Sequence, residues 1–199
     1  MSAIEIVATL LGLTNVTLIV RRNIWNFPFG LAMVALYAKI FYDHKLYSDA
    51  LLQIFFFAIQ LYGWWYWLKG RADNGLIRVE LLDQAWRLAA LAAIAIGSAL
   101  LGWVMASHSD AAVPYWDATT TVMSVVATLL MCRRKIENWV LWIAVDVLAI
   151  GIYSYKELYL TAGLYAVFLG LATWGLVSWK KAYRDGTGAP AATRVPEGQ

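Results

Sequence analysis

The sequence predicts an all-α integral membrane protein with seven transmembrane helices, arranged as two parallel three-helix repeats joined by a linker helix. Three observations carry this reading. Of 199 residues, 61% are hydrophobic and 15% charged, whereas a soluble domain carries about 25% charged residues. Displaced by 112 positions, residues 21–69 fall on 133–181: Arg21-Arg22 meets Arg133-Arg134, Asn26 meets Asn138, Leu46-Tyr47 meets Leu158-Tyr159, Phe56 meets Phe168, Gly63 meets Gly175 and Trp67 meets Trp179. Duplicated apolar runs are how many transporters build two halves around a central path. Finally, the basic residues gather in loops on one side of the apolar spans, as the positive-inside rule requires.

A span needs roughly 20 mostly apolar residues, and the windows that qualify are 2–20, 25–42, 49–68, 87–106, 115–131, 137–155 and 161–179. The first carries no basic segment and cleavage site of the kind that precedes removal, so it is expected to stay in the membrane. Pro28 and Pro114 fall at the starts of the second and fifth windows, where a missing N–H costs least. The stretch 70–83 has mixed charge and is expected to be a cytoplasmic loop or a short surface helix. The Ala-rich fourth window has no counterpart in the repeat and reads as the linker. Three spans plus a linker cross the membrane an even number of times, so both units keep one orientation and their axis lies along the membrane normal. The chain then divides into a first repeat over 1–69, a cytoplasmic loop and linker helix over 70–107, a second repeat over 108–183 and a polar tail over 184–199. The tail contains Pro and Gly and is expected to be disordered.

Arg21, Arg22, Lys69, Arg71, Arg78, Arg87, Arg133, Arg134, Lys135, Lys180, Lys181 and Arg184 fall on one side, and only Lys45, Lys156 and the nearby Lys39 on the other. The amino terminus is therefore expected outside and the carboxy terminus in the cytoplasm. The net charge of +3 lies in loops beside spans rather than along one helical face, so no nucleic-acid partner is expected. The lone Cys132 excludes an internal disulfide. No phosphate loop, metal-spaced His/Cys cluster or nucleophile elbow is present, so neither an enzyme nor a cofactor is expected. His44 and His108 fall in predicted external loops.

Chemistry in such a chain must sit between helices. Asn138, Trp142 and Asp146 recur at i, i+4 and i+8 on one face, with Trp139 beside them. Asp146 lies roughly 12 Å along the helix from Asn138, near the bilayer midplane, where an ionisable group costs at least ~2.5 kcal/mol unless paired or hydrated. It either serves a ligand or fixes helix packing. On the third window Gln53 and Gln60 are seven apart and Trp64 and Trp67 continue their stripe; the amides suit a hydroxyl- or amide-bearing ligand, or join helices. Tyr165 and Thr161 are weaker candidates on the seventh window. Stacked indoles attract a delocalised cation by around 2 kcal/mol when desolvated, so a flat cationic ring is the favoured ligand. Trp25, Trp65, Trp86, Trp103 and Trp179 are expected to be interfacial belt residues. Trp116, Asp117 and Thr119–Thr121 form an outer vestibule or merely cap their helix. Trp142 and Asp146 fall opposite Gly30 and Val34 in the other repeat, which makes the face asymmetric. Gly30, Gly63, Gly151 and Gly175 are expected to permit close helix approach.

The motif ENWVLW with Asp146, followed by KELYLTAGLYAVFLGLATWG, together with LLQIFFFAIQLYGWW and PYWDATTTVMSVVATLLMCRRKIENW, resembles the Pnu family of bacterial vitamin transporters. The likeness runs from about residue 21 to 181 and is strongest to the nicotinamide riboside carriers of that family. It implies a three-plus-one-plus-three arrangement related to the SWEET sugar transporters, whose Pro-Gln motif is missing here. It also implies a homotrimer in the bacterial inner membrane and facilitated diffusion of nicotinamide riboside, with a cytoplasmic kinase trapping the substrate without direct contact. The family's substrate region matches Asn138, Trp139, Trp142, Gln53 and Gln60. Related members carry thiamine or riboflavin, and a thiamine or other vitamin transporter of the same fold is the nearest alternative. A seven-helix receptor is a more distant one.

Overall fold

A computed structural model describes residues 3–43, 45, 47–70, 77–109 and 112–185. Seven helices form among them: α1 (Ala3–Val20), α2 (Asn26–Asp43), α3 (Tyr47–Lys69), α4 (Gln84–His108), α5 (Pro114–Cys132), α6 (Asn138–Tyr155) and α7 (Tyr159–Arg184). Each expected window is recovered within a few residues. Four helices, α3, α4, α6 and α7, are long and apolar enough to cross a membrane alone; α1, α2 and α5 have 18, 18 and 19 residues.

Chain neighbours pack as α1 on α2, α2 on α3, α5 on α6 and α6 on α7, and two further contacts, α3 on α5 and α1 on α7, close these six helices into a ring. α4 packs on α5 alone and leaves Trp86, Leu88, Leu91, Ile96, Leu100 and Trp103 exposed. That apolar exterior suits hydrocarbon, since lipid tails are as apolar as leucine.

The local geometry repeats with the sequence. α1 and α5 each end in a Schellman turn: Arg22 N–H donates to Ile19 and Asn23 N–H to Leu18, while Arg134 N–H donates to Met131 and Lys135 N–H to Leu130. The left-handed residues are Arg22 (φ 55°) and Arg134 (φ 61°), with Lys45 (φ 61°) and Glu157 (φ 59°) forming a second matched pair at the opposite end. Trp67 Nε1 donates to the Met131 carbonyl at 3.2 Å, and Trp179 Nε1 donates to the Ile19 carbonyl at 3.1 Å. Each half thus reaches across to the same position in the other. The edge-on pair of Phe27 and Trp67 (5.2 Å, 90°) likewise matches that of Trp139 and Trp179 (5.5 Å, 87°).

These contacts lie at the basic end of the bundle, where Val20, Phe27, Trp67, Cys132, Trp139 and Trp179 form the densest part of the core. Two glycines admit them. A Cβ on Gly63 would collide with Cys132 Sγ and Phe27, and one on Gly175 would lie 2.6 Å from the Trp139 ring. Gly151, expected to do the same, has open space around it. Trp179 also corrects the belt expectation: it is wholly buried, whereas Trp25, Trp65, Trp86 and Trp103 are exposed. Its equivalence to Trp67 marks it as core.

The stretch expected as a loop or surface helix is a loop over its described part, packed against the bundle rather than free. Residues 77–83 run extended beneath the bundle, with Ile77 and Val79 fully buried. Glu80 N–H donates to the Arg134 carbonyl, and Ile136 N–H donates back to the Glu80 carbonyl, a parallel bridge. Glu80 also pairs with Lys135 (2.7 Å) and Arg134 (3.4 Å), while Glu137 pairs with Arg87 (2.7 Å) and accepts from Leu82 N–H (3.0 Å). The expectation of disorder falls largely on 186–199, outside the described residues, as does His44.

Candidate functional site

Inside the ring lies a cavity of about 540 Å³, lined from all six ring helices and not from α4. Gln53 and Gln60 reach it from α3, Asn138, Trp139, Trp142 and Asp146 from α6, and Tyr165 and Thr161 from α7. Trp64 is not among the lining residues. It stacks on Phe27 (6.4 Å, 7° between planes) against the core of the basic end, because Trp64 follows Gln60 by four positions and the helix carries it below the cavity floor. The spacing that placed Asn138, Trp142 and Asp146 on one face is realised, since α6 runs unbroken from Asn138 to Tyr155.

Asn138 begins that helix. Its Nδ2 donates to the Lys135 carbonyl (2.6 Å), as Asn26 Nδ2 does to the Asn23 carbonyl (2.7 Å) in the other half. That bond is therefore part of the turn in both halves, but only Asn138 lines the cavity. Its Oδ1 and the Nε1 of Trp139 are buried without hydrogen-bond partners. Asp146 is 4% exposed and has no ion pair or hydrogen bond among the described residues. In the same wall Tyr153 and Tyr165 stack at 5.3 Å, 18° between planes.

Among the described residues no lysine, arginine or histidine lines the cavity. A single carboxylate in a wall of indole, phenol and amide groups suits a ligand that carries positive charge, hydroxyls and a flat ring. Among the described residues no cluster of three His, Cys, Asp or Glu side chains could hold a metal. Of the two readings of Trp116, Asp117 and Thr119–Thr121, vestibule or helix capping, the bonds agree with the second: Thr119, Thr120 and Thr121 donate to carbonyls within α5, and Asp117 pairs with Lys156 (3.2 Å).

Asn15 on α1, Tyr37 on α2, Ser124 and Thr128 on α5 and Tyr153 on α6 also line the cavity, and sequence spacing did not single them out. The repeat could have found some of them. Tyr153 stands at the position of Phe41 and Tyr165 at that of Gln53, both cavity residues. Asn15 stands opposite Ala127, so no such signal marks it.

A family model described as "Nicotinamide mononucleotide transporter" matches residues 2–181. The nicotinamide riboside transporter PnuC of Escherichia coli strain K12 is 32% identical to this chain over 93% of it and 88% of the relative. The riboflavin/roseoflavin transporter RibM of Streptomyces davaonensis is 28% identical over 94% of this chain and 91% of the relative. Among solved structures, the crystal structure of the vitamin B3 transporter PnuC superposes with a TM-score of 0.73 at 28% identity, covering 90% of this chain and 81% of that one.

Proposed function

The chain belongs to the nicotinamide mononucleotide transporter family, and we propose that it carries nicotinamide riboside into the cell by facilitated diffusion through the cavity of the six-helix ring. It is a transporter and not an enzyme. The observation that supports this substrate most is the cavity's charge: among the described residues Asp146 is the one carboxylate in its wall, and no lysine, arginine or histidine lines it. Nicotinamide riboside brings a cationic pyridinium for Trp142 and Asp146, a carboxamide for the amides of Gln60 and Asn138, and ribose hydroxyls for Gln53 and Tyr165. A phosphorylated nucleotide would bring an anion with nothing to neutralise it, at a cost of several kcal/mol in a dry site. The proposed substrate is therefore the nucleoside.

The two three-helix units are read as parallel repeats about an axis along the membrane normal, supported by the reciprocal Trp67 and Trp179 bonds and the matched turns. The basic end is assigned to the cytoplasm of a bacterial inner membrane. On that assignment the packed core and the 77–83 strap close the cytoplasmic side, and rocking of the repeats opens it. Assembly as a homotrimer is part of the same proposal, with the apolar outside of α4 free for lipid or another copy. A cytoplasmic kinase would trap the substrate by phosphorylation, without touching the transporter.

Riboflavin is the second reading, favoured by the similarity to RibM. Counterflow of labelled nicotinamide riboside into proteoliposomes, with unlabelled competitors, tests both. Nicotinamide riboside is expected to compete, and nicotinamide mononucleotide, thiamine and riboflavin are not. Counterflow of riboflavin or thiamine without that of nicotinamide riboside would overturn the assignment.

A further inference from the structure

Asn15 has no role in the reading above, yet it is the polar side chain of α1 buried deepest in the cavity wall. It is 9% exposed, and its Oδ1 has no hydrogen-bond partner. Gln60 is 7% exposed. Both side chains converge on the bare backbone of Gly30: a Cβ there would collide with Gln60 Oε1 and lie 3.1 Å from Asn15 Oδ1. The absence of a side chain at residue 30 is thus what lets two amides from different helices stand side by side.

The repeat gives this arrangement a direction. Displaced by 112 positions, Asn15, Gly30 and Gln60 become Ala127, Trp142 and Ala172. One half sets two amides over a glycine where the other sets an indole between two alanines, so the amides and Trp142 stand at one depth on opposite sides of the cavity. A flat ring laid against the indole presents its edge at that depth. A group in the ring plane, at once donor and acceptor, meets two amides that can each donate and accept. An unpaired buried amide loses stability until a ligand satisfies it. The last torsion of an Asn side chain is soft, so its amide can turn from Gly30 toward a ligand.

Resting on the nicotinamide riboside reading, we infer that Asn15 is a further substrate-contacting residue, which with Gln60 binds the primary carboxamide of a pyridinium ring held against Trp142. Gly30 is the positioning residue that keeps Gln60 in place.

The test is calorimetric titration of the purified protein with nicotinamide riboside and with the pyridinium riboside that lacks the carboxamide. Asn15→Leu keeps the side-chain shape and removes an unpaired polar group, so folding is expected to survive; Asn15→Ala is the second variant. Wild type should prefer nicotinamide riboside by about tenfold or more, and both variants should lose about tenfold in affinity for it while binding the plain pyridinium riboside unchanged. Gly30→Ala should lose the same preference by displacing Gln60. A preference kept in both Asn15 variants, or an equal loss for both ligands, overturns the inference while leaving the transport reading intact. If wild type binds neither riboside, both fall together.

Discussion

Trp142 and Asp146 have no chemical counterpart in the first segment, where the equivalent residues are Gly30 and Val34. Asp146 is buried without a partner, so its carboxylate is free to face a cation. Asp146→Asn is therefore expected to weaken binding of nicotinamide riboside by about tenfold while leaving the reduced, uncharged dihydropyridine riboside unaffected; titration with both forms checks this. Equal affinity of the variant and wild type for the cation would make Asp146 a packing residue. Gly175→Ala would place a methyl group 2.6 Å from the Trp139 ring, and overpacking of this kind costs about 1–3 kcal/mol. A lowered melting temperature in detergent is the expected result, with Gly151→Ala, which meets nothing, as the unaffected control. The α6 face of the cavity was legible at this scale, because helical spacing alone put Asn138, Trp142 and Asp146 on one face. Asn15 was not, since a lone amide in an apolar helix has no partner at i+4 and no equivalent in the other repeat. Trp64 was misplaced because spacing gives the face of a helix but not the depth at which a core ends.

Among the elements, the strap at 77–83 packs into the core of the basic end. Ile77 and Val79 are buried beneath the bundle, and Glu80 is tied to Arg134 and Lys135. Cys132 is buried in the same core, its Sγ 3.5 Å from the Ile59 carbonyl, and is the chain's single cysteine. Glu80→Ala is expected to raise the rate at which a membrane-permeant maleimide labels Cys132 several-fold, because local opening exposes it more often; an unchanged rate would show that the strap does not gate this end. The alternation of Ile77 and Val79 with Arg78 and Glu80 is a period-2 pattern that suits an extended segment. Mixed charge hid it. The helices themselves were readable because an apolar run of membrane length leaves few alternatives, while Trp179 near a helix end looks like a belt residue until it is aligned with Trp67.

Over the whole molecule, two matched indole bonds cross the six-helix ring, from Trp67 to the Met131 carbonyl and from Trp179 to the Ile19 carbonyl. Trp67→Phe and Trp179→Phe each remove one such bond, worth about 1 kcal/mol, and are expected to lower thermal stability to a similar degree; a large difference between them would show that the halves are not equivalent in energy. The charge on the substrate adds a drive of its own. An inside-negative potential of 100 mV favours entry of one positive charge by about 2.3 kcal/mol, roughly fiftyfold in accumulation. The most direct test of passage through this cavity is counterflow of labelled nicotinamide riboside in proteoliposomes bearing wild type or a folded Trp142→Ala variant. Rapid exchange in wild type and at least a tenfold loss in the variant are expected, and undiminished exchange by Trp142→Ala would place the route elsewhere.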